Sequence, residues 1–180
     1  MLYSDVFNGL FDRHVDADAH PAVYAAAAQK LAPLCGHKTY GYLFRTQKAL
    51  CDVLEIKSAL SVRITRAYRM GDTQTLGNIA ARDIPRVHER VQILLDAMRD
   101  QWLCDNKPFG LEIQEQRLGG LMERLCSCKD RLERYLAGEV KRIEELEQPT
   151  LPRMGPDDDK IRGLPATTVD WYLAGSAGRK

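Results

Sequence analysis

Apolar positions recur along most of this chain at helical spacing, and no stretch shows the strict alternation of a half-buried strand. Leu43, Leu50, Val53, Leu54, Leu60, Ile64, Ala67 and Tyr68 fall three or four residues apart, the stripe that a long helix turns toward a core. Thr39 stands where an N-cap would serve this helix, and Gly71 where a left-handed stop would end it near Met70. About 30 residues at ~1.5 Å each make a rod of roughly 45 Å. Upstream, Pro21 suits a first helical turn, and the alanine run 25–28 supports a helix over 21–34, closed by Pro33 and Gly36. Downstream, Asp72 is the expected cap of a short helix over 73–82. Pro85 is expected to interrupt the rod there, because its ring lacks the N–H and meets the carbonyl four residues back. A longer helix then spans 84–103, with Val87, Val91, Leu94, Leu95, Met98 and Trp102 turned inward.

The segment Asn106-Lys-Pro-Phe-Gly110 is the clearest break in the pattern. Beyond it a last long helix carries Leu111, Leu118, Leu121, Met122, Leu125, Cys128, Leu132 and Leu136 inward. Gly138 ends or bends that helix, and a shorter amphipathic segment is expected over 140–146. Gly119 and Gly120 sit inside the long helix, where each costs roughly 1 kcal/mol relative to Ala. Three explanations stay open: a second backbone approaching closely, a bend, or tolerated surface glycines. The resulting fold is all-α, an antiparallel helical bundle of three long and two or three short helices packed at crossing angles near ~20°. Residues 1–20 form an apolar strap without a helical period, which needs a surface to pack on. Residues 21–147 form the bundle, and 148–180, with Pro149, Pro152, Pro156, Pro165 and the run Asp157-Asp158-Asp159, an irregular tail.

Charge narrows the function classes. Against 26 Lys and Arg stand 25 Asp and Glu, a net charge of +1, so no long-range field favours nucleic acid or an anionic membrane. No apolar run approaches a membrane span, and Asp5 and Asp12 interrupt what would be a leader peptide. The five cysteines, Cys35, Cys51, Cys104, Cys126 and Cys128, are odd in number, which suggests reduced thiols and a cytoplasmic setting.

Candidate chemistry is sparse. Cys126 and Cys128 project about 200° apart on a helix, so they read as core and near-core thiols rather than metal ligands. His14, His20, His37 and His88 are scattered, with no Glu-x-x-His pair. No metal site or cofactor is expected. Arg63, Arg66 and Arg69 recur three apart and read as a solvated or docking face. Glu112 and Glu115 share a helix face, as do Glu144 and Glu147. A glycosidase needs two carboxyls ~5 or ~6.5–9.5 Å apart across a cleft, which one exposed helix face does not provide. No catalytic residue is assigned.

The block from Asn106 through Cys128, followed by Leu132 to Gly138, resembles the C-terminal helical domain of bacterial β-N-acetylhexosaminidases of glycoside hydrolase family 20. Leu2-Tyr-Ser-Asp-Val-Phe-Asn-Gly-Leu-Phe-Asp12 resembles the segment that follows the catalytic barrel there, with Val6 and Phe7 standing for Pro and Leu. Tyr40-Gly-Tyr-Leu-Phe44 and residues 49–57 fit the same domain, and the likeness fades beyond Met154. The resemblance implies a (β/α)₈ barrel ahead of this domain, carrying an Asp-Glu pair that works with the substrate's own N-acetyl group. No Asp-Glu dipeptide occurs in this chain. The resemblance therefore implies an accessory, non-catalytic domain whose partner is a barrel or a second subunit, a homodimer included. Tyr3, Asp5, Phe109, Glu112, Arg117, Gly119 and Gly120 are the expected docking or substrate-proximal residues. The competing reading is a free-standing helical module that binds a partner protein through its long second helix.

Overall fold

The computed structural model describes residues 1–149. Among them the fold is all-α, with α1 (Ala19–Leu31), α2 (Gly41–Arg69), α3 (Thr73–Asn78), α4 (Ile84–Asp105), α5 (Leu111–Leu136) and α6 (Glu144–Glu147). Three of these are long and three short, in keeping with the expected bundle. Helix α4 packs against both α2 and α5, while α1 lies along α2. The expected tail falls, beyond Pro149, outside the described residues.

The inward stripes are those the spacing predicts. Val53, Leu60 and Ile64 of α2, Val87, Val91 and Leu94 of α4, and Leu118, Leu125, Cys128 and Leu132 of α5 are buried in one cluster. Met98 and Met122 pack at its margin. Polar side chains tie the rods together. The Thr46 hydroxyl donates to Ala97 O across α2 and α4 at 3.1 Å, Arg90 reaches Glu55 at 2.6 Å, and Arg99 joins Glu115 of α5 at 2.7 Å.

Several boundaries differ from expectation, each for a local reason. Helix α1 begins at Ala19, two residues before Pro21, because Asp16 Oδ1 accepts the N–H groups of Asp18 and Ala19 at 3.0 and 2.8 Å. Thr39 does not cap α2. The ring of His37 does that work, its Nδ1 accepting from Thr39 N and Tyr40 N at 3.2 and 3.1 Å. Pro85 does not interrupt the rod. One turn of π-helix, Ile79–Asp83, precedes α4, and Ile84 N–H bonds to Ile79 O, five residues back. The widened turn moves the carbonyls away from the proline ring, so α3 runs through the π-turn into α4. The amphipathic helix expected over 140–146 shrinks to Glu144–Glu147, since Gly138 at φ +77° ends α5 and the chain is extended at Ile143. Ile143 and Leu146 are nonetheless fully buried and seal the bottom of the core.

The strap is part of that core. Val6 and Phe7 are each 2% exposed and belong to the same cluster as the helices, so the irregular apolar start packs on α2 and α5. The stop at Asn106–Gly110 is as predicted, with Gly110 at φ +95° and Trp102 Nε1 donating to Lys107 O at 2.9 Å.

Candidate docking surface

Two grips hold the strap. On α2, Lys57 is only 3% exposed, and its ammonium donates to Ser4 O at 2.6 Å and Met1 O at 3.1 Å. Burial pulls its pKa down to about 8, against the opposing pull of Asp5 and Cys128. On α5, Arg124 pairs with Asp5 through its Nε, and its guanidinium lies 5.5 Å from the centre of the Phe7 ring. Asp5 Oδ1 also accepts Phe7 N at 2.7 Å and Asn8 N at 3.1 Å, an Asx turn that folds the strap onto itself. Burial alone would raise the Asp5 carboxyl, but the Arg124 hydrogen bond and charge and those two N–H groups outweigh it and hold it below its ordinary value.

Between strap and α5 runs a groove of about 580 Å³, and four of the predicted residues meet there: Tyr3, Asp5, Arg117 and Gly120. The Arg117 guanidinium sits 5.0 Å above the Tyr3 ring, and the Tyr3 hydroxyl donates to Gln114 at 3.3 Å. Ile113, half exposed, also lines the groove, whereas Phe109, 83% exposed at the α4–α5 turn, does not. Gly119 is on the same helix but does not line the groove. Glu112 does something simpler: its carboxylate accepts Gly110 N–H at 2.8 Å and caps α5.

The close approach once considered for the glycine pair does not occur among the described residues. A Cβ built at Gly119 or Gly120 would meet nothing within 4 Å, whereas at Gly41 it would stand 2.5 Å from Cys35 O. Gly41 is therefore the helical glycine that a neighbouring backbone requires, and Gly120 leaves open space on the groove. Arg124 and Lys57 were missed in sequence. Arg124 follows Gly120 by four residues, which places it on the same face and is a readable signal. Lys57 lay hidden as the polar member of an apolar stripe.

Other predicted chemistry resolves into structure. Glu115 pairs with Arg99, Glu144 with Arg131, and Glu147 accepts from the Tyr68 hydroxyl at 3.1 Å. Arg63 pairs with Asp83 at 2.7 Å, and Arg69 donates to Gln148 O at 3.0 Å. Cys128 is fully buried, its thiol pushed up to about 12 chiefly by burial. Cys126 is exposed on the opposite side of α5, not near the core as expected, because two residues on a helix turn roughly 200°.

A family model described as the glycoside hydrolase 20C C-terminal domain matches residues 1–164. The chain belongs to that family. The match takes in the whole strap and continues ten residues past Met154, where the resemblance read from the residues ends. A comparison with curated proteins finds no match. Among the surfaces that the described residues present are this open groove, aromatic and cationic at Tyr3 and Arg117, beside a strap anchored on both flanks, and the exposed Phe109 ring at the α4–α5 turn. No helix among the described residues is long and apolar enough to cross a membrane.

Proposed function

We propose that this chain is an accessory domain that braces the catalytic barrel of a β-N-acetylhexosaminidase, docking it along the groove between strap and α5 and against Phe109. The observation that carries this reading is the double anchorage of the strap, through Lys57 on one side and Arg124 on the other. In the family arrangement the strap follows the barrel, so a strap fixed to two helices transmits the barrel's position to the bundle. The open space at Gly120 accommodates a neighbouring backbone, the exposed Phe109 supplies a separate apolar anchor at the α4–α5 turn, and Arg117 and Tyr3 give a cationic, aromatic edge. Asp5, locked by Arg124, positions the strap rather than acting on substrate. Hydrolysis of terminal N-acetylhexosamine residues then belongs to the barrel, and this chain alone turns over no glycoside. Five free thiols favour a reducing, cytosolic setting.

The test is assembly. A separately produced barrel and this chain should co-sediment, and Phe109→Asp or Arg117→Glu should weaken the complex at least tenfold without changing the helical signal of the chain. Migration of barrel and chain as independent species, or glycoside turnover by the lone chain, would overturn the reading. Self-association of the chain that the same substitutions abolish would assign the groove to a second copy instead.

A further inference from the structure

Two of the arginines that recur along the end of α2, Arg66 and Arg69, meet in a cleft of about 510 Å³ that shares no lining residue with the docking groove. With Val62 and Thr65 they stand three and four apart on one helix face and form one wall. Asp12 and Arg13, from the 3₁₀ turn Asp12–His14 of the strap, form the other. Three guanidinium groups thus line the cleft against the single carboxylate of Asp12. The site keeps a local positive excess in a chain whose net charge is only +1. Arg66 is exposed, and its side chain makes no hydrogen bond or ion pair with a described residue. Arg69 donates to Gln148 O at 3.0 Å, and Pro149 itself lines the cleft, so the described chain ends on this surface.

We propose that this cleft is the docking site of the chain's own acidic run, Asp157-Asp158-Asp159. The run follows Pro149 by eight residues, which fully extended reach roughly 26–29 Å, far more than a cleft of this volume spans. A connection that short holds the run at an effective concentration of order mM, at which individually weak ion pairs suffice. The planar guanidinium fork takes a carboxylate through two parallel N–H···O bonds, and the run offers three carboxylates to a site in positive excess. Its flanks set the register. Arg153 precedes the run and Lys160 and Arg162 follow it, and the cleft repels all three, so only the aspartates fit. The family match extends through residue 164, which places the run inside the domain. The docked run clamps the turn Asp12–His14 of the strap against α2, a third hold beside those of Lys57 and Arg124. The inference goes beyond the bracing role and uses none of the surface assigned to the barrel.

The experiment uses the full chain alone and reads backbone order parameters from amide nitrogen relaxation. Values above ~0.6, the level below which a backbone counts as flexible, are expected at residues 157–159. Arg66→Glu should drop them below that level while leaving the helical signal of the chain and the Arg69–Gln148 bond in place. Adding Asp158→Arg to that variant should restore them, a recovery that simple loss of packing does not produce. If Arg66→Glu loses its helical signal, Arg66→Gln is measured in its place, and the same drop is expected. Order parameters below ~0.6 in the wild-type chain, indifference to the Arg66 variants, or no recovery with Asp158→Arg would overturn the proposal. Order that disappears on tenfold dilution would overturn it too, and would assign the cleft to the acidic run of a second copy. The experiment contains no barrel, so its failure leaves the bracing reading untouched, and failure of docking leaves this one untouched.

Discussion

The strap is held in two chemically different ways, and the contrast shows what each helix contributes. On α2 a buried cation meets two backbone carbonyls and no carboxylate, so its grip is independent of strap side chains at Met1 and Ser4. On α5 a guanidinium that is 37% exposed meets the Asp5 carboxylate and the Phe7 ring, with Glu145 at 4.0 Å on its other side, so its grip depends on strap side chains. A buried donor group is costly to remove, because the groups it served are left without partners. An exposed ion pair contributes little by comparison. The α2 grip thus fixes the strap in the fold, and the α5 grip sets the shape of the groove that the strap borders.

The largest way to upset that balance is to remove what both grips position. Phe7→Ala should destabilise the domain by about 3–4 kcal/mol, read as a lower urea midpoint, because a fully buried ring leaves a cavity next to α5. Next comes Lys57→Met, expected to cost about 2 kcal/mol, since it leaves Met1 O and Ser4 O unserved while sparing the apolar stem. Hydrogen exchange should then rise across residues 1–8 before it rises in α2. Arg124→Ala should cost only about 1 kcal/mol, and it should open the groove without releasing Val6 and Phe7.

Acidity separates the grips further. Lys57 has its pKa lowered to about 8 in the fold, so above that value the folded chain binds fewer protons than the unfolded one. Stability should therefore rise from pH 8 toward the ordinary lysine value, and this slope should vanish in Lys57→Met. Asp5 has its pKa lowered as well, but it is an acid. Its contribution is present above the ordinary carboxylate value and is lost as pH falls through the depressed one, a loss that Asp5→Asn should remove. The smallest effect is expected at Gly119. Its replacement by Ala meets no atom within 4 Å and should stabilise the isolated chain by up to ~1 kcal/mol in a thermal melt.

Much of this was legible in sequence, and the exceptions share a cause. Stripes such as Val87–Val91–Leu94 follow from spacing alone, as does the stop at Pro108 and Gly110. Pro85 and Pro108 carry the same local signal, yet only the second breaks the rod. The π-turn at Ile79–Asp83 absorbs the first because Ile79, Ala80 and Ile84 remain buried against the core through it, a tertiary gain that no local rule contains. Gly41 and the Gly119–Gly120 pair show the same limit: the closest approach is made by Cys35 O, in the 3₁₀ turn Ala32–Gly36 that follows α1, whose path no periodicity reports. Of the site, Tyr3, Asp5, Arg117 and Gly120 could be brought together by helix geometry and a resemblance. Lys57 could not, since a lysine in an apolar stripe usually reaches for solvent.

The most direct test of the bracing role compares Gly120→Ala with Gly120→Trp in the complete enzyme. The account predicts that the alanine variant keeps its kcat/KM and assembly, while the indole fills the groove and lowers both at least tenfold. Wild-type activity and wild-type assembly in the tryptophan variant would contradict it.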